Sequence, residues 1–362
     1  MPSTALANLR IVEVGSRVAV AYAGKLVAEL GASVIKVEPL NGDALRRRAD
    51  DGDLLAAGMF SYLNASKRTI SVDLQRLPRN DVFRDLFSRS DIILTDLGPD
   101  QLPTEFDGPG GPARVYVSDY GLDGPEHGRP ATGLTIQSAA GWVIWRGQDR
   151  DEPVQVGGDP QEHITGSYAA VAVLVAARAR ARGLPADGSV VSVDVSVLEA
   201  LHGAIPFHEV EGGADPTMVD LAARPFPLTI MQASDGWVGL NCLTGQQWHD
   251  ACALLGISEY AERRDEIRAD RALLEVVRAR VQPWFMEHTA AEIVELAQTF
   301  RIPAAVLASA KTILNSPHLR ERGFFVSNEV DGHRFEQPGS AYRLSATPVR
   351  VQTGIPTLEV QS

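Results

Sequence analysis

The sequence predicts an α/β protein, with a doubly wound parallel sheet in a large lobe and a smaller α+β lobe in the middle of the chain. Three observations carry this. Short β-branched runs alternate with helical stretches through the N-terminal part, the pattern of a parallel sheet covered by helices. Near residue 210 the pattern changes to a hairpin followed by helices, and from Ile302 it becomes mixed again, as it would if the chain crossed back. The length of 362 residues exceeds that of a typical single domain, which suits two lobes. The large lobe is expected over 1–210 and 305–362, and the small lobe over 211–304.

Residues 9–14 read as a buried strand, 21–30 as a helix closed by Gly31, and 33–37 as a second strand, together one βαβ unit. Runs at 69–72, 92–94 and 115–118 predict further strands, with a helix around 82–88. The Ala-rich segment 164–182 predicts a long helix, followed by a Gly-Leu-Pro-Ala-Asp-Gly turn and a strand at 190–194. In the small lobe, runs at 228–231 and 237–240 flank Ser234-Asp235-Gly236, a hairpin signal. Helices are expected there at 246–255, 271–281 and 290–300. Phe226, Met231, Trp237 and Trp248 read as core residues rather than pocket residues.

Composition narrows the function classes. A net charge of -12 argues against a nucleic-acid binder. Cys242 and Cys252 form neither a Cys-x-x-Cys nor a cluster with histidine, so no metal site is expected and both thiols should pack as small hydrophobes. The segment MPSTALANLR lacks the basic-then-apolar order of a secretory signal, and the longest apolar run, 169–177, is stopped by Arg178. It is too short to cross a bilayer, so a cytoplasmic protein with no membrane partner is expected.

The first βα turn, Gly15 to Gly24, and the acid Glu38 at the second strand end lie where a dinucleotide-binding fold keeps its phosphate loop and ribose acid. No G-x-G-x-x-G is present, however, and close backbone approach to a pyrophosphate needs those glycines. Asn64-Ala-Ser-Lys-Arg68 brings two cations and an amide before a strand. They could grip a phosphate or an adenine edge, or form a solvated turn. Arg46-Arg47-Arg48 reads as an exposed basic face.

The stretch VGGDPQEHITGSYAA sets Asp159 and Glu162 in a glycine-rich lead-in to the long helix. One reading makes Glu162 a cap for a helix beginning near Ile164. The other makes it an ionised nucleophile facing a space open to a thioester carbonyl, with N–H groups near an oxyanion. Asp159-Pro160 is a turn-forming pair.

The order of the segments LRIVEVGSRVAVAYAGKLVAELGASVIKVEPLNGD, NASKRTISVDL, VSDYGLDGP, TGSYAAVAVLVA, VDVSVLEAL, SDGWVGLN and SPHLRERGFF resembles the class III coenzyme A transferases over nearly the whole chain. That family includes formyl-CoA and carnitine-CoA transferases and the related α-methylacyl-CoA racemases. The resemblance implies a Rossmann-like large domain, a small domain and an interlocked dimer, either a homodimer or a heteromer with a paralogue. It implies coenzyme A and acyl-CoA as substrates, a carboxylic acid as acceptor, no metal, and a covalent carboxylate intermediate that passes through an anhydride and a thioester. The family nucleophile is an aspartate about four residues before a Thr/Ser-Gly pair. Counting back from Thr165-Gly166 reaches Glu162, with Asp159 second. One methylene more moves a carboxylate by about a bond length, and reacting atoms misplaced by about 1 Å can cost roughly 100-fold in rate.

By the same resemblance Val18, Ala19, Lys36, Asn64, Lys67 and Arg68 would line the adenosine and phosphate side. Backbone at Gly157, Gly158, Val18 and Ala19 would supply oxyanion and substrate contacts. Three departures stand against this. Thr132-Gly133 replaces the Tyr-Glu pair of formyl-CoA transferases, 219–225 replaces a glycine-rich flap, and TDLGPDQLPTEF lacks the arginine that helps hold the nucleotide. A catalytically weak or silent member that binds CoA or partners an active subunit is therefore the alternative. A 2-methylacyl-CoA racemase ranks third, because the segment 131–133 holds no histidine.

Overall fold

The computed structural model describes residues 4–143, 154–204 and 229–360. The chain divides into two compact units, one of Met1–His208 with Arg320–Ser362 and one of Glu209–Leu319. The return to the first unit comes at Arg320 rather than at 305, because strand Ala304–Val306 pairs antiparallel with Trp237–Leu240 and stays with the second unit.

The first unit is built on β1 (Arg10–Val14), β2 (Ser33–Pro39), β3 (Arg68–Val72), β4 (Ile92–Thr95), β5 (Ala113–Ser118) and β6 (Ser192–Ser196). They lie in the order β3-β2-β1-β4-β5-β6, all parallel, and the C-terminal strand Leu358–Val360 adds in parallel beside β3. This is the Rossmann order, in which chain direction across the sheet reverses between β1 and β4. The inner strands are buried on both faces, which explains their near-continuous apolar runs. Against one face pack α1 (Val18–Glu29) and the later long helix, through Val20, Ala23, Val27, Ala169, Val173 and Ala176. Val12, Val14, Ile70, Ile93, Phe83 and Phe87 form the core on the other.

Two helices that the sequence reading passed over, α2 (Ala44–Asp50) and α3 (Leu54–Asn64), follow β2. Asp43 and Asp53 cap them by accepting from Leu45 N at 2.8 Å and Ala56 N at 3.0 Å. Next come α4 (Asp81–Arg89), α5 (Gly133–Ala139) and α6 (Pro160–Ala181). Two helix starts differ from the expected ones. Helix α1 begins at Val18 rather than at 21, although Arg17 provides no side-chain cap; distant carboxylates supply it. Helix α6 begins at Pro160 rather than at 164, since proline is well suited to the first helical position. An antiparallel hairpin, Phe325–Val330 with His333–Pro338, was also passed over, although its Asp331-Gly332 turn has positive φ at both residues.

The second unit holds the expected hairpin. Ile230–Gln232 pairs with Trp237–Leu240, and Ala233 N donates to Gly236 O at 2.8 Å. Helices Gly245–Leu254, Arg271–Met286 and Ala290–Thr299 pack beside it around Trp248, Val277, Phe285 and Ile293. Met231 and Trp248 are core, whereas Trp237 is 46% exposed; Phe226 and 219–225 lie outside the described residues. Cys242 and Cys252 are free and buried, and burial pushes both thiols up to about 12. Among the described residues no helix is long and apolar enough to cross a membrane.

Candidate active site

Open α/β sheets bind ligands outside the carboxyl ends of their strands, at the point where strand order reverses. Here that point is the β1–α1 turn, Gly15-Ser16-Arg17, facing Asp96 just after β4. The Asp96 carboxylate accepts from Ser16 N at 3.1 Å and Arg17 N at 2.8 Å. Gly15 has φ +143, and a Cβ there would overlap the Asp96 carboxylate, so the close approach requires glycine. The turn thus encloses the protein's own anion where a dinucleotide fold would hold a pyrophosphate. Burial raises the Asp96 pKa, against the pull of the two N–H groups and of Lys36 and Arg17. Glu38, in the place of a ribose acid, is also consumed internally: Arg46 donates to its two oxygens at 2.9 and 2.8 Å. Arg46 is therefore buried rather than part of an exposed basic face, while Arg48 is exposed and pairs with Asp53.

Helices α1 and α6 approach closely because Gly166 lies at their contact. A Cβ on it would sit 2.7 Å from Ala19 O and 3.0 Å from the Tyr22 ring. This brings the first turn of α6 against the first turn of α1. Glu162 Oε2 accepts from Ala19 N at 3.0 Å, and Oε1 lies 3.2 Å from Arg17 Nε. The capping expectation is corrected in an informative way, since Glu162 satisfies a free N–H at the start of α1 rather than of its own helix. Arg17 also donates through Nη2 to Asp119 Oδ1. The Glu162 side chain is 14% exposed and that of Arg17 20%.

Burial is the largest influence on Glu162 and raises its pKa. Arg17 and the Ala19 N–H oppose the rise, while Asp119 and Asp159 add to it. Burial disfavours the Arg17 charge, but Glu162, Asp119 and Asp96 outweigh it and hold the guanidinium protonated. The result is a carboxylate kept less acidic than usual, close to the surface, with a fixed cation and a helix N-terminus beside it. Such a group can act as a nucleophile whose resulting oxyanion has donors nearby. Arg17 and Asp119 also line a cavity of about 260 Å³, together with Asp96, Tyr120 and His127 among others.

Of the other candidates, Ala19 shares the contact with Glu162 and the rest lie outside it. Asp159 is exposed at the start of α6 in a left-handed conformation with φ 50, and its carboxylate accepts from Gln161 Nε2 at 3.1 Å. Gly157 and Gly158 lie in the exposed loop before it, pinned by buried Gln137, which bonds both backbone groups of Val156 at 3.0 Å. Gly133 packs on this corner, since a Cβ there would meet Gln161 Nε2 at 2.7 Å. Val18 and Ala19 open α1.

Lys36, Asn64 and Lys67 are buried rather than arrayed on an open surface. Lys67 Nζ lies 2.7 Å from Glu13 Oε2 and donates to Asn64 Oδ1 at 3.0 Å and Ala21 O at 2.8 Å. Lys36 Nζ contacts Glu13 and Asp43, each at 3.2 Å, and Gly15 O at 3.3 Å. This network braces the β1–α1 turn from below. Burial pulls Lys67 down to about 8, while Glu13, Asp43 and Glu38 overcome the same penalty at Lys36 and raise it. Arg68 is exposed and pairs with Glu359.

Sequence reasoning missed Arg17, Asp96, Asp119 and Glu13. Their signal was faint: single charges inside or beside apolar runs, whose partners lie far off in the chain, Arg17 being 102 positions from Asp119 and farther still from Glu162.

A model of CoA-transferase family III matches residues 6–362. The chain is 25% identical, over 98% of its length and 91% of the relative's, to a succinyl-CoA:mesaconate CoA-transferase of Haloarcula marismortui. It is 28% identical, over 89% and 84%, to a succinyl-CoA:(R)-benzylsuccinate CoA-transferase subunit of Thauera aromatica. A succinate–glutarate CoA-transferase of Agrobacterium fabrum is 24% identical over 98% and 92%. In fold the chain resembles the crystal structure of a CaiB/BaiF family protein from Brucella suis, with a TM-score of 0.79 at 22% identity over 98% and 96% of the two chains. The match of the family model from near one end of the described chain to the other agrees with the Rossmann-order sheet, and the chain belongs to CoA-transferase family III.

Proposed function

We propose that this protein moves coenzyme A from an acyl-CoA to a carboxylic acid, with Glu162 as the covalent nucleophile. The observation that carries the reading is the position of Glu162, held 3.0 Å from Ala19 N and 3.2 Å from Arg17 Nε. A Glu162 oxygen attacks the thioester carbonyl, the C–S bond breaks, and CoA leaves as thiolate, giving a mixed anhydride. The thiolate then attacks the Glu162 carbonyl carbon and releases the donor acid, leaving a glutamyl-CoA thioester. The acceptor carboxylate attacks that thioester, and the expelled thiolate takes the acyl group from the second anhydride. This frees Glu162 and the new acyl-CoA.

The named activities of the relatives support succinyl-CoA as donor and a small dicarboxylic acid as acceptor. Because some relatives are named as subunits, the working unit pairs this chain with a second copy or with a paralogue.

The test is an assay of CoA transfer from succinyl-CoA to mesaconate, malate or glutarate, beside the Glu162→Gln variant. Transfer by the wild type and none by the variant is expected. CoA binding without transfer would favour a silent, CoA-binding member, and exchange of the α-proton of a 2-methylacyl-CoA without transfer would favour a racemase.

A further inference from the structure

We propose that Asp119 is a positioning residue that takes over the Arg17 guanidinium each time Glu162 becomes acylated. The inference rests on the proposed role of Glu162 as covalent nucleophile. Arg17 stands between two carboxylates but does not treat them alike. Its Nη2 donates a hydrogen bond to Asp119 Oδ1, whereas its Nε meets Glu162 Oε1 in an ion pair at 3.2 Å. The guanidinium is thus hydrogen-bonded to Asp119 and ion-paired with Glu162.

Attack on a thioester turns the Glu162 carboxylate into an acyl group and erases its charge, while the expelled thiolate carries that charge away. Arg17, half-buried, would then be left without its reacting partner, and a poorly hydrated cation without a counter-ion is costly. Asp119, already bonded to it, keeps the cation compensated throughout. Asp96 also favours the Arg17 charge, but less than Asp119 does, and its Oδ2 accepts the backbone N–H groups of Ser16 and Arg17. Asp119 also acts on the resting enzyme. By sharing Arg17 and by its own charge it disfavours ionisation of Glu162, together with Asp159 and burial and against Arg17 and the Ala19 N–H. A less acidic carboxylate is a better nucleophile, so one side chain favours both attack and the covalent state.

The test measures, at equilibrium with succinyl-CoA over a range of pH, the fraction of Glu162 converted to its CoA thioester. The thioester is quenched with borohydride and read by peptide mass spectrometry. Asp119→Asn is expected to lower the labelled fraction roughly 10- to 100-fold, the worth of one charge-assisted hydrogen bond. It is also expected to move the acid limb of labelling to lower pH, a shift that general loosening of the fold would not produce. Arg17→Lys leaves Asp119 in place but replaces the fork by a single ammonium that cannot serve both carboxylates as Arg17 does. It is expected to lower the fraction as well, and Asp119→Glu is expected to restore part of it.

Wild-type labelling matched by Asp119→Asn, with an unmoved acid limb, overturns the role of Asp119 and leaves the nucleophile standing. If Asp119→Asn fails to fold, undiminished labelling of Arg17→Lys overturns it equally. Absence of label on wild-type Glu162, with CoA transfer still observed, overturns the covalent reading itself and this inference with it.

Discussion

Glu162 Oε2 accepts the Ala19 N–H at 3.0 Å, so the first turn of α6 supplies the cap that the start of α1 lacks. The bond spans 143 positions of sequence. It sets the reach of the side chain, because at glutamate length from the α6 backbone the carboxylate meets both Ala19 N and Arg17.

Shortening that reach should therefore cost rate. Glu162→Asp draws the carboxylate back by about a bond length and is expected to lower turnover roughly 100-fold, while Glu162→Gln, with no anionic oxygen, abolishes covalent labelling. Turnover in Glu162→Asp equal to the wild type's would show that the Ala19 contact does not position the reacting atom.

Gly166 is the second determinant of this geometry. Gly166→Ala places a methyl 2.7 Å from Ala19 O. Forcing the helices apart is expected to destabilise the protein by about 1–3 kcal/mol and to depress turnover further by drawing Glu162 from Ala19 N. Chemical denaturation and steady-state kinetics measure the two effects separately, and loss of neither would contradict the close crossing.

The raised pKa of Glu162 has a signed consequence for stability. Between its ordinary value of 4.5 and its higher folded value, the folded protein binds more protons at this site than the unfolded chain. The stability contributed by this carboxylate is therefore greatest below 4.5 and falls as pH rises through that window. Glu162→Gln removes the titration. The difference in Tm, variant minus wild type, is expected to grow with pH across the window and to level off above it; scanning calorimetry at several pH values reads this, and a flat difference would contradict the shift.

Lys67 and Arg68 are neighbours in sequence with opposite structural roles. Lys67→Met leaves buried Glu13 with only one of its two lysine partners, and is expected to cost about 3 kcal/mol or more. Arg68→Ala, at an exposed pair, is expected to cost at most about 1 kcal/mol. Equal denaturation midpoints for the two variants would contradict the buried network.

The legibility of this protein in its sequence followed how local each cause is. The strands of the parallel sheet and the hairpin at Ser234-Asp235-Gly236 were readable because buried β-branched runs and turn residues act over a few positions. The start of α1 was not, since its caps, Asp96 and Glu162, come from distant parts of the chain. The same holds for the site. Glu162 could be singled out beside its glycine-rich lead-in, but nothing near it announces Arg17 or Asp119. Lys36, Asn64 and Lys67 look in sequence like a polar grip on a ligand. Glu13, itself inside a buried strand, turns the two lysine charges inward.

The covalent role of Glu162 is tested most directly by following oxygen. With succinyl-CoA and succinate labelled with heavy oxygen in both carboxylates, each cycle through the anhydride leaves one acceptor oxygen in the Glu162 side chain. After turnover, the peptide containing Glu162 is expected to carry heavy oxygen in that carboxylate and at no other residue. Exchange of CoA between succinyl-CoA and succinate with an unlabelled Glu162 would contradict the mechanism and require a different acceptor for the acyl group.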